Sequence, residues 1–187
     1  REIQKINRLV KPIKKKDDNV SFIGRRQCHL NYTAAVHMRF APKAENEAAG
    51  MIILQACNHQ YRLERAMQDG NGVVRFVKVT NDVNGGPHRP DFRTDTREQV
   101  VVTVPYNAEE ICFKVVAKEQ DYSFYYAKNE GQWIPLYENA DAREINPEVI
   151  GGLIGTYIGM FASSNGEKSD NWASFDWFDY EGSNSVI

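Results

Sequence analysis

Along LNYTAAVHMRF, residues 30–40, Leu30, Tyr32, Ala34, Val36, Met38 and Phe40 alternate with Asn31, Thr33, Ala35, His37 and Arg39. A period of two puts successive side chains on opposite faces of an extended backbone, so this stretch predicts a half-buried β-strand. Further β-rich runs follow at short intervals: GMIILQ, YRLERAM, VVRFVKVT, QVVVTV, EICFKVVAK, DYSFYYAK, GTYIGMFA and SFDWFDY. Turn-rich punctuation such as QDGNG, NDVNGGPHRP, KNEGQ and SSNGEKSDN separates them. Many short strands without alternating helical segments predict an all-β fold, an antiparallel β-sandwich. The stretch NADAREINPEVIGG is the main insertion, with room for one helical turn. No internal repeat or low-complexity tract is present.

The densest aromatic stretch, NWASFDWFDY at 171–180, admits three readings: a core strand, a sugar platform or a pair of catalytic carboxylates. Strict alternation puts Phe175 and Trp177 on one side and Phe178 and Tyr180 on the other, which predicts a strand covered on both faces. A retaining glycosidase needs two carboxylates about 5 to 5.5 Å apart. Asp179 and Glu181 alternate suitably, but GSNS follows at once and marks a strand end. Asp176 is an odd number of residues from Asp179, so a regular strand separates the two by face.

The chain has 187 residues, 42% hydrophobic and 26% charged, which suffices for one domain with a real core. A formal charge of −2 offers no general attraction to nucleic acid or an anionic membrane. The basic cluster Arg8, Lys11, Lys14, Lys15 and Lys16 is broken by Pro12, closed by Asp17 and Asp18, and reads as a solvated linker or N-terminal extension. Residues 1–19 are therefore set apart from a sandwich domain at 20–187. No apolar run approaches the roughly 20 residues that span a bilayer. The opening REIQKINRLV has neither an initiator Met nor a signal peptide, which reads as part of a longer polypeptide. The compartment is then set outside these residues, with a periplasmic or secreted address expected if the parent carries a signal. Three cysteines, Cys28, Cys57 and Cys112, lack CxxC spacing and read as buried free thiols.

No GxSxG, HExxH or phosphate loop is present. His29 and His37 share a strand face but lie roughly 26 Å apart at about 3.3 Å per residue, too far for one zinc ion. Asp176 is the single candidate for a structural calcium ion; no other cofactor is indicated. Tyr125, Tyr126 and Trp172 are candidates for stacking on sugar rings, against the plainer reading of one tyrosine inward and the other covering the sheet. In EVIGGLIGTY, residues 148–157, Gly151, Gly152 and Gly155 permit close backbone approach, while Val149, Ile150, Leu153 and Ile154 are unusually apolar for a loop. They either fold back on the core or meet another surface.

Three longer segments carry a resemblance: FIGRRQCHLNYTAAVHMRFAPKAENEAAGMIIL, YSFYYAKNEGQWIPL and GGLIGTYIGMFASSNGEKSDNWASFDWFDY. Their order is an Arg-Gln strand opening, an Asn-Glu loop into Ala-Gly, a Tyr-x-Phe-x-Tyr strand with a turn and Trp, and a Gly-rich loop before Asp-Phe-Asp-Trp-Phe-type residues. From about Val20 to Tyr180 the chain resembles the C-terminal concanavalin A-like domain of glycoside hydrolase family 43 β-xylosidases and α-L-arabinofuranosidases. The resemblance implies a jelly-roll sandwich without catalytic residues, packed on an N-terminal five-bladed propeller that supplies the catalytic base, acid and pKa-modulating carboxylate. Xylo- or arabino-oligosaccharide is then met through the parent enzyme. It also implies that a bulky side chain of the loop Ile150, Gly151, Gly152, Leu153, Ile154 and Gly155 reaches toward the sugar pocket, here Leu153 or Ile154. An independent carbohydrate-binding module and a stand-alone concanavalin-like glucanase are the alternatives.

Overall fold

The computed structural model describes residues 21–81, 96–145 and 155–183. Their strands are β1 (Ser21–Arg26), β2 (Asn31–Arg39), β3 (Ala48–Ala56), β4 (His59–Gln68), β5 (Asn71–Asn81), β6 (Thr96–Pro105), β7 (Glu110–Lys118), β8 (Asp121–Ala127), β9 (Ile134–Asp141), β10 (Tyr157–Ser163) and β11 (Ser174–Ser183). One 3₁₀ turn, Ala142–Ile145, supplies the helical turn expected of the insertion. The strands form two antiparallel sheets, a six-stranded β1-β10-β3-β4-β5-β6 and a five-stranded β11-β2-β7-β8-β9. The all-β antiparallel sandwich is therefore observed.

The period-two pattern of β2 is realised residue by residue. Tyr32, Ala34, Val36 and Met38 are buried and face Met51, Ile53, Tyr61, Leu63, Phe76, Ile158 and Met160 of the other sheet in one continuous core. Phe76 lies near its centre, with the Phe124 and Tyr137 rings 4.6 and 4.9 Å away and Tyr61 edge-on at 5.5 Å. Leu30, expected on the buried face, instead precedes the strand and is exposed; His29 also precedes the strand and is half-buried. Cys112 is buried as expected, whereas Cys57 is half-buried and Cys28 exposed; all three are free thiols. Burial raises the Cys112 thiol to about 11, so it stays protonated and behaves as a small apolar group.

The six-stranded sheet is also buried on its outer side. Ala48, Ile52, Ala66, Val73 and Phe161 form a second apolar cluster there. Beside it, Glu64 is 1% exposed and is paired with both Arg62 and Arg75, and Arg62 reaches Glu98 at 2.9 Å. A buried carboxylate without such partners would be strongly unfavourable, so Glu64 and Arg62 are tolerated as a set with Arg75 and Glu98, whereas the buried Arg65 donates to the backbone carbonyls of Ala66 and Val73. Arg62 Nε lies 3.1 Å from Glu64 Oε2 without an aligned hydrogen bond, and the pair is held by charge.

β11 corrects the sequence reading. Phe175 pairs with Met38 and Trp177 with His37, which leaves Asp176 as an extra residue in a β-bulge. Past the bulge the alternation changes phase: Phe178 and Tyr180 pair with Val36 and Ala34 on the inner side, where Phe175 also lies. Trp177 and Asp179 turn to the outer side, and Trp177 is half-buried. The expected sharing of one face by Phe175 and Trp177 fails because a single inserted residue resets the period.

Candidate functional site

One end of the sandwich gathers the segment before β2, the β7–β8 turn, the 3₁₀ turn and the start of β10. Gln27 ties these together. Its backbone N–H donates to Thr156 O at 2.8 Å, its Nε2 to His29 O at 3.1 Å, and its Oε1 accepts from the Tyr122 hydroxyl at 3.0 Å. Thr156 Oγ1 donates to Gln55 Oε1 at 3.0 Å. The 3₁₀ turn is held from β4, because the Tyr61 hydroxyl lies 2.7 Å from both Asp141 O and Glu144 Oε2, and Lys78 Nζ donates to the same Oε2 at 2.9 Å. Burial, reinforced by Glu144, pushes the Tyr61 phenol far above its usual range and keeps it a donor. A cavity of about 530 Å³ opens here, lined by residues that include His29, Leu30, Tyr122, Ile145 and Thr156. Leu30 is 68% exposed at its rim.

The glycine-rich segment is rooted at this end. Ile145 ends the turn on one side, and Gly155 precedes Thr156 on the other. A Cβ on Gly155 would meet Arg26 Nε at 2.7 Å, the far part of a side chain that can move aside. Ile150, Gly151, Gly152, Leu153 and Ile154 lie outside the described residues, as does the basic segment at 1–19.

The three aromatic candidates are not brought together. Tyr126 packs edge-on against Tyr106 at 6.0 Å, beside the core. Trp172 lies in the connection before β11 and is 42% exposed. Tyr125 pairs with Lys114 and Pro135 on the outer side of the five-stranded sheet, and its hydroxyl donates to Glu138 Oε1 at 3.2 Å. On that same side the sequence reading missed Trp133 and, by misplacing it in the core, Trp177. Together with Ala35, Asp179 and the Glu130–Gly131 turn they line an open groove of about 590 Å³. Gly131 adopts φ 91°, a left-handed conformation that a residue with a Cβ enters only with strain. Asp176, the candidate calcium ligand, has Oδ2 2.6 Å from His37 Nδ1, and the His37 ring stacks on Trp177 with centroids 6.3 Å apart. Among the described residues no cluster of three His, Cys, Asp or Glu is arranged to hold a metal ion. Nor is any helix among them long and apolar enough to cross a membrane.

Residues 10–181 match the family described as the β-xylosidase C-terminal concanavalin A-like domain. The chain belongs to this family. A non-reducing end α-L-arabinofuranosidase of Bacteroides ovatus is 32% identical over 164 residues, 88% of this chain and 28% of that protein. A xylosidase/arabinosidase of Butyrivibrio fibrisolvens is 29% identical over 163 residues, 87% of this chain and 29% of the relative. The chain thus spans less than a third of the curated relatives it matches. Among solved structures, a Bacteroides ovatus protein described as GH43B of a xyloglucan utilisation locus superposes with a TM-score of 0.71 at 32% identity, over 86% of this chain and 29% of that one. A xylan β-1,4-xylosidase of Bacillus halodurans shares the fold with a TM-score of 0.72 at 18% identity, over 88% and 30% of the two chains.

In this C-terminal concanavalin A-like domain, two of the motifs that carry the resemblance act as a structural lock. The buried Glu47 carboxylate accepts hydrogen bonds from Lys43 N at 2.7 Å, Ser169 Oγ at 2.6 Å and Asn171 Nδ2 at 2.7 Å. Asn46 Nδ2 donates to Ser164 O at 2.9 Å, and Asn165 Nδ2 returns to Asn46 O at 2.7 Å. The loop before β3 and the connection before β11 are thereby fastened at the end opposite the glycine-rich segment.

Proposed function

We propose that this chain is the accessory sandwich of a two-domain hydrolase that releases xylose or arabinose from plant polysaccharide, and that its glycine-rich end docks on the catalytic propeller. Support comes from family membership and from the fraction of each relative that the chain spans. The observation that carries the docking surface is the cavity at the end where Ile145 and Gly155 root the loop, rimmed by the exposed Leu30. An exposed leucine gains free energy by leaving water. Leu153, or its neighbour Ile154, closes the sugar pocket from this side. Its role is to exclude water and shape the rim, since an aliphatic side chain offers no ring face for stacking. The acids belong to the catalytic domain; this chain contributes position and desolvation.

The test is Leu153→Asp in the full-length enzyme. Expected is a lower kcat or a raised KM for aryl pentosides, while the melting temperature of the 187-residue chain carrying the same change stays near that of the wild type. Unchanged kinetics, or a large stability loss in the isolated chain, would overturn the assignment, the latter by showing that Leu153 belongs to the sandwich core.

A further inference from the structure

The groove on the outer side of the five-stranded sheet is separate from the end just assigned to the propeller. It is bounded by the β8–β9 turn, at the opposite end of β8 from the 3₁₀ turn, and by the middle of β2 and β11. Its floor is Ala35, a small side chain between two indoles. Trp177 stands on β11 because the Asp176 bulge turns it outward, and His37, bonded to Asp176, stacks against it and fixes the ring. Trp133 follows the β8–β9 turn. Lys114, paired with Ala35 across the ladder, places its ammonium 4.3 Å from the Trp133 ring centre and 4.9 Å from that of Tyr125. Trp177 is thereby held by His37 and Trp133 by Lys114, which lowers the entropy lost when a ligand orders them.

The polar groups have unused capacity. Among the described residues neither Trp133 nor Trp177 donates its Nε1–H to a protein acceptor, and Glu130 has no hydrogen-bond or ion-pair partner. Asp179 Oδ1 accepts only the N–H of Tyr180, at 2.9 Å, which leaves Oδ2 open. Burial lowers the pKa of Lys114, the mark of an ammonium short of solvating partners. Two flat apolar faces with indole donors, carboxylate acceptors and one ammonium at their edges suit a neutral polyol: a pyranose ring has an apolar C–H face and a rim of hydroxyls that both donate and accept. Asp179 and Glu130 outnumber Lys114, so the same surface disfavours a polyanion. The groove is open rather than a closed pocket, which admits the middle of a chain and not only its end.

We infer that this face is a second, non-catalytic binding site for a β-1,4-linked xylan chain, gripped by Trp177 and Trp133 and hydrogen-bonded by Asp179, Glu130 and Lys114. The identity of the polymer rests on the function proposed above; the groove itself does not. Such a site would hold the parent hydrolase on polymeric substrate without altering its chemistry.

Native gel electrophoresis of the 187-residue chain in gels with soluble xylan, beside gels with starch or without polysaccharide, tests this. Expected is retardation by xylan alone, weakened at least about tenfold in apparent affinity by Trp177→Ala and by Trp133→Ala. Both variants should melt within about 3 °C of the wild type, since neither ring is in the core. Asp179→Ala, on the exposed edge of β11, is the second probe should Trp177→Ala fold poorly, and it should also weaken retardation. Absence of retardation of the wild type, equal retardation by starch, or retardation unchanged in all three variants overturns the site. Binding by the isolated chain that disappears in the full-length enzyme also overturns it, by placing the groove inside the domain interface. The outcome is independent of Leu153: an enzyme impaired by Leu153→Asp but not retarded by xylan rejects the groove alone, and retardation with unaltered Leu153→Asp kinetics rejects the pocket-rim role alone.

Discussion

Glu47 is the residue on which two loops converge, and its environment dictates a pH response. Burial by itself raises a carboxyl pKa, but hydrogen bonds from Ser169, from the Lys43 backbone and from Asn171 favour the charged form more strongly, and the net shift is downward. A folded-state pKa below the unfolded one means that the stabilisation is complete above the ordinary carboxylate range. It is lost as pH falls through the lowered folded value. Glu47→Gln should therefore cost about 1.5 to 3 kcal/mol near neutrality, the usual worth of hydrogen bonds to a charged group. Urea melts taken from pH 7 down to about pH 3 should show the gap between wild type and variant closing at the acid end. A gap that does not change with pH would mean that packing, and not the charge, holds the loops. The sequence pointed to this loop only as a fragment of a resemblance. Its three donors come from positions 43, 169 and 171, and nothing local in the chain announces that they meet.

At the scale of elements, the strands that the hydrophobic pattern missed are β1 and β9, and both lie at sheet edges. An edge strand buries fewer side chains, so SFIGRR and IPLYENAD carry little alternation, and Pro135 is tolerated because an edge leaves one row of N–H groups without a ladder partner. β1 is joined to β10 through facing glycines, Gly24 opposite Gly159. A Cβ on Gly159 would lie 2.2 Å from Ile23 O and 2.4 Å from Gly24 Cα, both backbone atoms that cannot swing away. Gly159→Ala should displace β1 and cost about 1 to 3 kcal/mol, the range for overpacking. Amide hydrogen exchange should report the loss first at β1, while β2 and β7 keep their protection; uniform protection would show that β10 accommodates the methyl group. The bulge at Asp176 belongs to this scale too. One residue beyond the regular count sends Trp177 outward, and only pairing with β2 reveals it.

The molecule as a whole is a sandwich whose two ends differ: one fastened by Glu47, the other open around Leu30 and the root of the glycine-rich segment. Among the described residues no acid pair has the surroundings of a glycosidase centre. Asp179 and Glu181 share the outer side of β11 at a sheet edge, and both are exposed rather than enclosed in a cleft. The 187-residue chain alone should therefore release no nitrophenol from aryl β-xylosides or aryl α-L-arabinofuranosides. Turnover that disappears in Asp179→Asn would overturn this.

The chain's own alternation determined the β class and the inner face of β2, because an inner face must be apolar at every second position whatever the neighbours are. Resemblance of its motifs placed it in its family. Tertiary structure alone decided the rest: that Glu64 of β4 is buried against Arg75 of β5, that Asn46 and Glu47 fasten a distant connection, and that Trp133 and Trp177 share one groove. Each of these depends on residues far apart in sequence meeting across a ladder or a loop contact. In β11 a single bulged residue shifts the period by one, and a count along the chain has no means of registering it.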